Sequence, residues 1–338
     1  MLERPPVVIR LLAALVRRLP AGRYRVMDRV ARPAPPPFIA RTPVDAGGHA
    51  FHCDLRDGIA REVCFTGAYE PLETAIVRAL LPAGGTFVDV GANWGYFTLL
   101  AAHIADAAGR VVALEPDPRL FALLRSNAER NRLSHVTPLQ LAAAARRGTL
   151  TLAGFDEAGD NWGLSSLAAT GRSDARGSAE SIESTDASGS TGSTGSTGSM
   201  GSAGPRFEVA TAALDDVLDD LSVDSVDLVK VDVEGAEPLV LRGMERGIAA
   251  GRYRALLLEL HPSLVDGYAR FERGVRERMS AAGYQGWWID HSPAAARAAS
   301  YARRVDLRRY LRPVDASAAP ADAWPHQLWL LPPTTPFA

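Results

Sequence analysis

Cysteine is scarce in this chain, which has only Cys53 and Cys64 among its 338 residues. No Cys-x-x-Cys pair and no cluster of cysteine with histidine occurs, so we expect no structural zinc centre of that kind. Two thiols allow at most one disulfide. Reduced thiols in a cytoplasmic protein are therefore our expectation.

A long apolar run is also missing, and so is a strong net charge. The apolar start VVIRLLAALVRRLP is interrupted by Arg10 and followed by Arg17 and Arg18, so it is too short and too charged to span a bilayer. The small-residue cleavage site of a signal peptide does not follow it. A formal net charge of −2 gives no general attraction to nucleic acid. We expect no transmembrane segment and no nucleic-acid partner, and a homo-oligomer stays open.

Composition divides the chain into three parts. Residues 1–40 read as an N-terminal amphipathic helix and a proline-rich linker, RPAPPPF. Residues 41–338 read as one domain, interrupted by a Ser/Thr/Gly-rich insertion at 173–204. That insertion has almost no large apolar side chain, so it cannot bury enough surface to offset its ordering entropy. We predict a disordered surface loop there.

Strand-like and helical segments alternate from residue 70 onward. The strand-like segments are TFVDVG, RVVALE, VTPLQLA, TLTLAGF, VDLVKVDV and RALLLEL, with YQGWWID and HQLWLLP as a closing antiparallel pair. The helical segments are 70–81, 95–107, 236–246 and 267–282. Asp117 and Pro118 predict the start of a further helix, as N-cap and first helical residue. This α/β alternation predicts one doubly wound sheet, with TLTLAGF at an edge.

The segment FVDVGANWGYF places a glycine turn between a strand and a helix. It lacks the central glycine of the G-x-G-x-x-G fingerprint that cradles a pyrophosphate. Asp89 would repel a pyrophosphate but would suit an ammonium group. Glu115 ends the next strand, twenty-four residues after Gly91, where a carboxylate can accept hydrogen bonds from a ribose. S-adenosylmethionine (SAM) fits this pattern better than NAD, although both acids could be ordinary strand-end residues.

Charged residues end two later strands. In KVDVEG, Lys230, Asp232 and Glu234 share one side of an apolar strand by the period of two, and burying them is costly unless they are paired or bind something. In LELHP, His261 is the side chain whose ordinary pKa best suits a general base at neutral pH. We predict that Asp232 and Glu234 face an acceptor, as base or as metal ligands, with Lys230 orienting them, and that His261 is a candidate general base. A histidine that is merely a satisfied loop residue is the alternative for His261. A structural Lys–Asp pair is the alternative for the first strand.

Several motifs, in this order, resemble the FkbM-type SAM-dependent methyltransferases over roughly residues 45–262. They are TGAYEP, FVDVGANWGYFTLLAA, VVALEPDPRLFALLRSNAERN, NWGLSSL, ALDDVL and VDLVKVDVEGAEPLVLRGM. The resemblance implies the class I methyltransferase (Rossmann-like) fold, a doubly wound, mostly parallel seven-stranded sheet with helices on both faces. It also implies methyl transfer from SAM, usually to oxygen.

The resemblance carries over to particular residues. The residues that match the family's SAM loop are Asp89, Gly91, Asn93 and Gly95, and Glu115 matches its ribose acid. Tyr69 and Glu70 match the element before the loop and are expected beside the cofactor. Trp94 departs from the family pattern, which often has a smaller aliphatic residue there.

The resulting hypothesis is a SAM-dependent O-methyltransferase that acts on a hydroxyl of a small molecule, such as a sugar or a secondary metabolite. A divalent metal is left open, because an alcohol needs a base or a metal to become a nucleophile. A non-catalytic SAM- or nucleoside-binding module that works through partners is the alternative from another class. An NAD-dependent oxidoreductase is a further alternative, and the missing glycine argues against it.

Overall fold

The computed structural model of the protein describes residues 4–154, 166–167, 205–314 and 325–336. The predicted insertion at 173–204 and Asn161 of the NWGLSS motif lie outside the described residues.

The described chain alternates helices and strands. Its α-helices are α1 (Val7–Val16), α2 (Arg23–Val30), α3 (Gly58–Thr66), α4 (Pro71–Leu80), α5 (Tyr96–Ala105), α6 (Pro118–Arg130), α7 (Leu214–Asp220), α8 (Glu237–Arg242), α9 (Glu245–Ala249), α10 (Tyr268–Ala281) and α11 (Pro293–Tyr301). Its strands are β1 (Phe38–Arg41), β2 (Ala50–Cys53), β3 (Thr86–Val90), β4 (Arg110–Leu114), β5 (Val136–Leu139), β6 (Ala142–Ala143), β7 (Gly148–Ala153), β8 (Ser166–Leu167), β9 (Arg206–Ala212), β10 (Leu228–Val231), β11 (Ala255–Leu258), β12 (Gln285–Ile289), β13 (Leu311–Pro313) and β14 (Gln327–Leu330).

The largest sheet has the order β13-β12-β14-β11-β10-β3-β4-β5. Strands β11, β10, β3, β4 and β5 are mutually parallel, while β14 runs antiparallel to both β11 and β12. The doubly wound, mostly parallel sheet of the class I methyltransferases is therefore confirmed. It has eight strands rather than the expected seven, because the three residues of β13 pair with β12 at the edge. So short a segment, which includes Arg312 and Pro313, carries no strand pattern of its own.

Strand order reverses between β3 and β10. From β3 the chain builds outward through β4 and β5, and it then returns to place β10 on the other side of β3. The carboxyl ends of β3 and β10 thus form the switch point, where open α/β sheets bind ligands.

Both faces of this sheet are covered, as the near-continuous apolar strands predict. Alternate residues of one strand enter opposite cores: Phe87 packs with α4 and α5 on one face, and Val88 and Val90 pack with α7, α8 and α10 on the other. Helix α6 begins as predicted, because the Asp117 side chain accepts a hydrogen bond from the backbone N–H of Arg119. The single helix expected at 236–246 is instead two short helices, α8 and α9.

A second sheet, with the order β6-β9-β7-β8, lies apart from the large one. The predicted strand TLTLAGF forms β7 in this sheet and not an edge of the main sheet. Its antiparallel partner β9 comes from beyond the insertion, with Gly148 opposite Thr211 and Ala153 opposite Arg206. Because this pairing spans more than fifty residues, local sequence could not indicate it.

The N-terminal segment packs on the rest of the protein. Helix α1 buries Ile9, Ala13 and Val16, which join the core that contains α3, and an additional helix, α2, stands before the proline-rich stretch. The division of the chain at residue 40 stays a prediction. Cys53 and Cys64 are both free and buried. In the described ranges, no helix combines the length and apolar character that crossing a membrane requires.

Candidate active site

The turn after β3 needs glycine for two different contacts. Gly91 has a φ of +85°, and a Cβ at this position would lie 1.8 Å from the carbonyl oxygen of Asp232. Only a residue without a side chain allows the backbones that follow β3 and β10 to approach so closely. Gly95, the N-cap of α5, has a φ of +99°, and a Cβ there would lie 2.7 Å from Cδ1 of Leu124.

Asp89 is a buried acid at the end of β3. It is 1% exposed, and its Oδ2 accepts a hydrogen bond of 2.6 Å from the Thr98 hydroxyl. Burial raises the pKa of Asp89 to about 6, so it is mostly ionised at neutral pH. A cation entering the space beside it would be stabilised by this charge.

Glu115 ties the end of β4 to the glycine turn. Its Oε2 accepts a hydrogen bond of 2.8 Å from the backbone N–H of Asn93, and its Oε1 accepts one of 2.8 Å from that of Asp117. Burial raises the pKa of Glu115 to about 8. Each carboxyl oxygen has a second lone pair, which a ligand hydroxyl can use.

These groups surround a cavity at the switch point, with roughly 1090 Å³ of space free of protein atoms, open solvent at its mouth included. Polar lining residues come from the segment before α4, from β3 and the turn after it, and from the carboxyl ends of β4 and β10. They are Tyr69, Asp89, Asn93, Glu115, Lys230, Asp232 and Glu234. The apolar wall includes Leu150 and Leu152 of β7. The second sheet therefore helps to enclose the candidate site.

Lys230 is buried among carboxylates at one end of this cavity. Its Nζ lies 2.8 Å from Glu259 Oε1, 3.0 Å from Asp232 Oδ2 and 3.9 Å from Glu70 Oε2. Burial alone would lower the pKa of Lys230, but the surrounding carboxylates outweigh it and raise that pKa well above its ordinary value. Lys230 is therefore charged at neutral pH, and its ammonium forms ion pairs with the neighbouring carboxylates.

His261 lies beyond Asp232, against two glutamates. Its Nδ1 is 2.5 Å from Glu237 Oε1, and its Nε2 is 3.6 Å from Glu234 Oε2. Burial alone would lower the pKa of His261, but these carboxylates raise it to about 9. Burial also raises the pKa of Glu234 to about 7. At neutral pH the histidine is therefore protonated, and Glu234 is the group poised to exchange a proton.

The element before the turn reaches the same cluster. Tyr69 lines the cavity and packs edge-on against Tyr96, with 6.0 Å between ring centroids. Glu70 has a φ of +43° at the start of α4, and burial raises its pKa well above the ordinary value. Trp94 stacks on Phe51 of β2, with 4.9 Å between ring centroids, so its large ring fills the space next to the turn.

The part of the chain that forms most of this cavity matches a known family. The family described as the Methyltransferase FkbM domain matches residues 89–285, which is more than half of the chain. The chain belongs to the FkbM methyltransferase family. The matched range contains the glycine turn, Glu115 and the whole cluster from Lys230 to His261.

Curated members of the FkbM family are similar over part of their length. The 31-O-demethyl-FK506 methyltransferase FkbM of Streptomyces tacrolimicus is 31% identical over 187 residues, covering 55% of this chain and 68% of that protein. Methyltransferase sdnD of Sordaria araneosa is 31% identical over 176 residues, covering 49% of this chain and 63% of that protein. This chain thus spans about two thirds of the length of these relatives.

A solved methyltransferase FkbM from Methylobacillus flagellatus covers 81% of this chain and 55% of its own, at 15% identity and a TM-score of 0.40. A TM-score this low carries no conclusion about function.

In this FkbM-family chain, most residues predicted from the sequence line one cavity. The three that do not are Glu70, Gly95 and His261. Glu70 lies 3.9 Å from Lys230, and His261 lies 3.9 Å from Asp232. Gly95 caps the helix that follows the turn. The structure brings the predicted set together, and the role of each residue in binding or catalysis stays a prediction.

The sequence interpretation assigned no role to two acids of this cluster, Glu237 and Glu259, the second of which lies 2.8 Å from Lys230. Glu237 is fully buried, and its Oε1 faces both His261 and the backbone N–H of Gly235. It lies inside the motif KVDVEGAE, five residues after Asp232, where a helix start places it back beside the strand end. An acid at the first position of a helix that follows a charged strand end was the available signal.

Proposed function

We propose that this protein is a SAM-dependent methyltransferase that methylates a hydroxyl group of a small molecule, such as a sugar or a secondary metabolite. The observation that carries the proposal is the cavity at the switch point, which joins the glycine turn and Glu115 to the carboxylate cluster around Lys230. The Streptomyces tacrolimicus relative is a 31-O-demethyl-FK506 methyltransferase, and this supports oxygen as the acceptor atom.

The lining of the cavity fits SAM better than a dinucleotide. Among its described lining residues, Lys230 is the single cation, and carboxylates surround it, while Asp89, Glu115, Asp232 and Glu234 are acids. At neutral pH the mostly ionised Asp89 and the ionised Asp232 would repel two phosphates. An ammonium and a sulfonium would be stabilised, and Glu115 would accept hydrogen bonds from the ribose.

Bound SAM supplies a methyl group that its sulfonium already activates. The protein must therefore position the acceptor in line with that methyl and remove the hydroxyl proton. Glu234 is the best base, because its pKa of about 7 is matched to neutral pH and its side chain faces the cavity. The protonated His261, 3.6 Å away, stabilises the ionised form of Glu234.

Asp232 and Lys230 have a different role in this proposal. The charge of Lys230, 3.0 Å away, opposes the effect of burial and lowers the pKa of Asp232 below its ordinary value, so Asp232 stays ionised and is a weak base. Such a fixed carboxylate orients an acceptor hydroxyl by hydrogen bonding. The expectation that His261 itself is the base gives way to Glu234, because His261 already carries a proton at neutral pH.

Thermal shift with SAM, S-adenosylhomocysteine and NAD tests the cofactor, and labelled SAM with a panel of hydroxylated metabolites tests the reaction. We expect stabilisation by both sulfur ligands and transfer of label to at least one hydroxyl compound. Stabilisation by NAD alone would overturn the proposal. If SAM bound but its labelled methyl group reached no compound of the panel, no water and no protein side chain, the result would favour the non-catalytic module.

A further inference from the structure

A second cluster of titratable side chains lies outside the cavity. Strand β12 ends at Ile289 and β14 begins at Gln327, and the two strands run antiparallel. His291 and His326 therefore meet just beyond the paired strand ends, with 4.1 Å between their ring centroids. Glu73, in the first turn of α4, completes the group. Three segments far apart in sequence converge at this point.

The distances within the group are short. Glu73 Oε1 lies 2.6 Å from Nε2 of His291 and 3.4 Å from Nδ1 of His326. One donor atom from each residue can be chosen so that all three lie within 4.8 Å of one another. Metal–nitrogen and metal–oxygen bonds of about 2.0–2.2 Å place neighbouring ligand atoms about 3 Å apart. The cluster needs only small side-chain rotations to reach that spacing.

Glu73 also has an unused oxygen. The residue is 0% exposed, and its Oε2 is a buried atom without a hydrogen-bond partner. An orphaned oxygen on a buried carboxylate is costly unless something else contacts it. The two histidines are partly accessible, at 22% and 15% side-chain exposure, so an ion can enter from their side.

We propose that Glu73, His291 and His326 bind a divalent transition-metal ion such as Zn²⁺. Two imidazoles and one carboxylate are a ligand set that holds Zn²⁺ and leaves a fourth position open. All three residues lie outside the range that matches the FkbM family model, residues 89–285. The site therefore belongs to the flanking parts of this chain, and it does not depend on the proposed function.

The cluster of Asp232, Glu234 and His261 could also gather three donor atoms. It is a poorer metal site, because it offers a single imidazole. In addition, the Lys230 ammonium lies 3.0 Å from Asp232 and would repel a cation. This second cluster supplies the control for the experiment.

The test uses the full chain, stripped of metal with a chelator. ZnCl₂ is titrated by calorimetry, and Co²⁺ by its visible absorption, whose intensity reports the coordination number and geometry of the bound ion. We expect one equivalent to bind. His291→Ala, His326→Ala and Glu73→Gln should each weaken binding at least about tenfold, the lower end of what changes around metal sites cost. His261→Ala should leave both stoichiometry and affinity unchanged.

Three results would overturn the proposal. The first is that the wild type does not bind one equivalent of Zn²⁺ or Co²⁺. The second is wild-type metal affinity in both histidine variants, and the third is loss of metal binding in His261→Ala alone. Circular dichroism without metal checks that each variant is folded. Because the two histidines are partly exposed, their replacement is better tolerated than that of the buried Glu73. If Glu73→Gln failed to fold, the histidine variants would still decide the question.

Discussion

Replacing Gly91 with alanine tests the close backbone approach on which the candidate site depends. The added Cβ would lie 1.8 Å from the carbonyl oxygen of Asp232, a separation that forces the two backbones apart. A φ of +85° costs a residue with a side chain about 1–2 kcal/mol. Inserting a methyl group into a packed site costs about 1–3 kcal/mol more. We expect Gly91→Ala to lower the free energy of unfolding by about 2–5 kcal/mol.

Gly84 provides the matched control. It has a similar φ of +72°, but nothing lies within 4 Å of a Cβ built there. Gly84→Ala should therefore lose only the backbone contribution, about 1–2 kcal/mol. Urea denaturation of both variants, followed by circular dichroism, measures the two losses on one scale.

Equal losses of stability in Gly91→Ala and Gly84→Ala would contradict this prediction. If the two variants lost the same stability with unchanged m-values, the approach of the β3 and β10 backbones would not be restrictive, and the reason for glycine at residue 91 would be its conformation alone. If Gly91→Ala is much less stable than Gly84→Ala, its affinity for SAM should fall as well. The reason is that the turn after Gly91 positions Asn93, whose backbone N–H donates a hydrogen bond to Glu115.

Three further predictions concern ligand, rate and pH. Glu115→Ala should abolish or strongly weaken SAM binding by calorimetry, whereas Glu129→Ala, at an exposed position on α6, should not; equal affinities would remove Glu115 from the site. Glu234→Gln should slow turnover by about 10²–10⁴-fold, and Asp232→Asn and His261→Ala should also slow it, each with little change in SAM affinity; wild-type turnover in any of them would exclude that residue from the chemistry. Because the pKa of His261 is raised to about 9, its stabilising effect should be complete below its ordinary pKa of about 6.5 and disappear as the pH rises through 9. Urea unfolding between about pH 6 and pH 10 should show this loss in the wild type and a flatter profile in His261→Ala; parallel profiles would contradict the prediction.

Local signals sufficed for much of the fold. Asp117 and Pro118 give the start of α6 because capping is a contact within one turn of helix. The apolar runs of β10 and β11 mark central strands because both faces of the sheet are covered. Gly91 and Glu115 mark the edge of the sheet where the cavity lies, because a strand–turn–helix unit places its turn at the carboxyl end of the strand.

Other features depend on contacts between distant segments. His291 and His326 gave no signal, because their meeting depends on how β12 and β14 pair, and Glu73 comes from a helix more than two hundred residues earlier. The protonation state of His261 was also out of reach. Its ordinary pKa suits a base, and only the folded positions of Glu234 and Glu237 turn it into a cation.

The pairing of β7 with β9 has a practical consequence. The backbone N–H of Gly154 donates a 2.8 Å hydrogen bond to the carbonyl of Pro205, so the two ends of the intervening stretch are fastened side by side. In general, doubling the length of a flexible loop whose ends are held together costs only about 0.6 kcal/mol. Leu150 and Leu152, on the cavity wall, lie inward of that fastening. An affinity tag or a fluorescent reporter inserted between Gly154 and Pro205 would therefore cost little stability, and the residues that flank it adjoin β7, whose Leu152 lines the cavity.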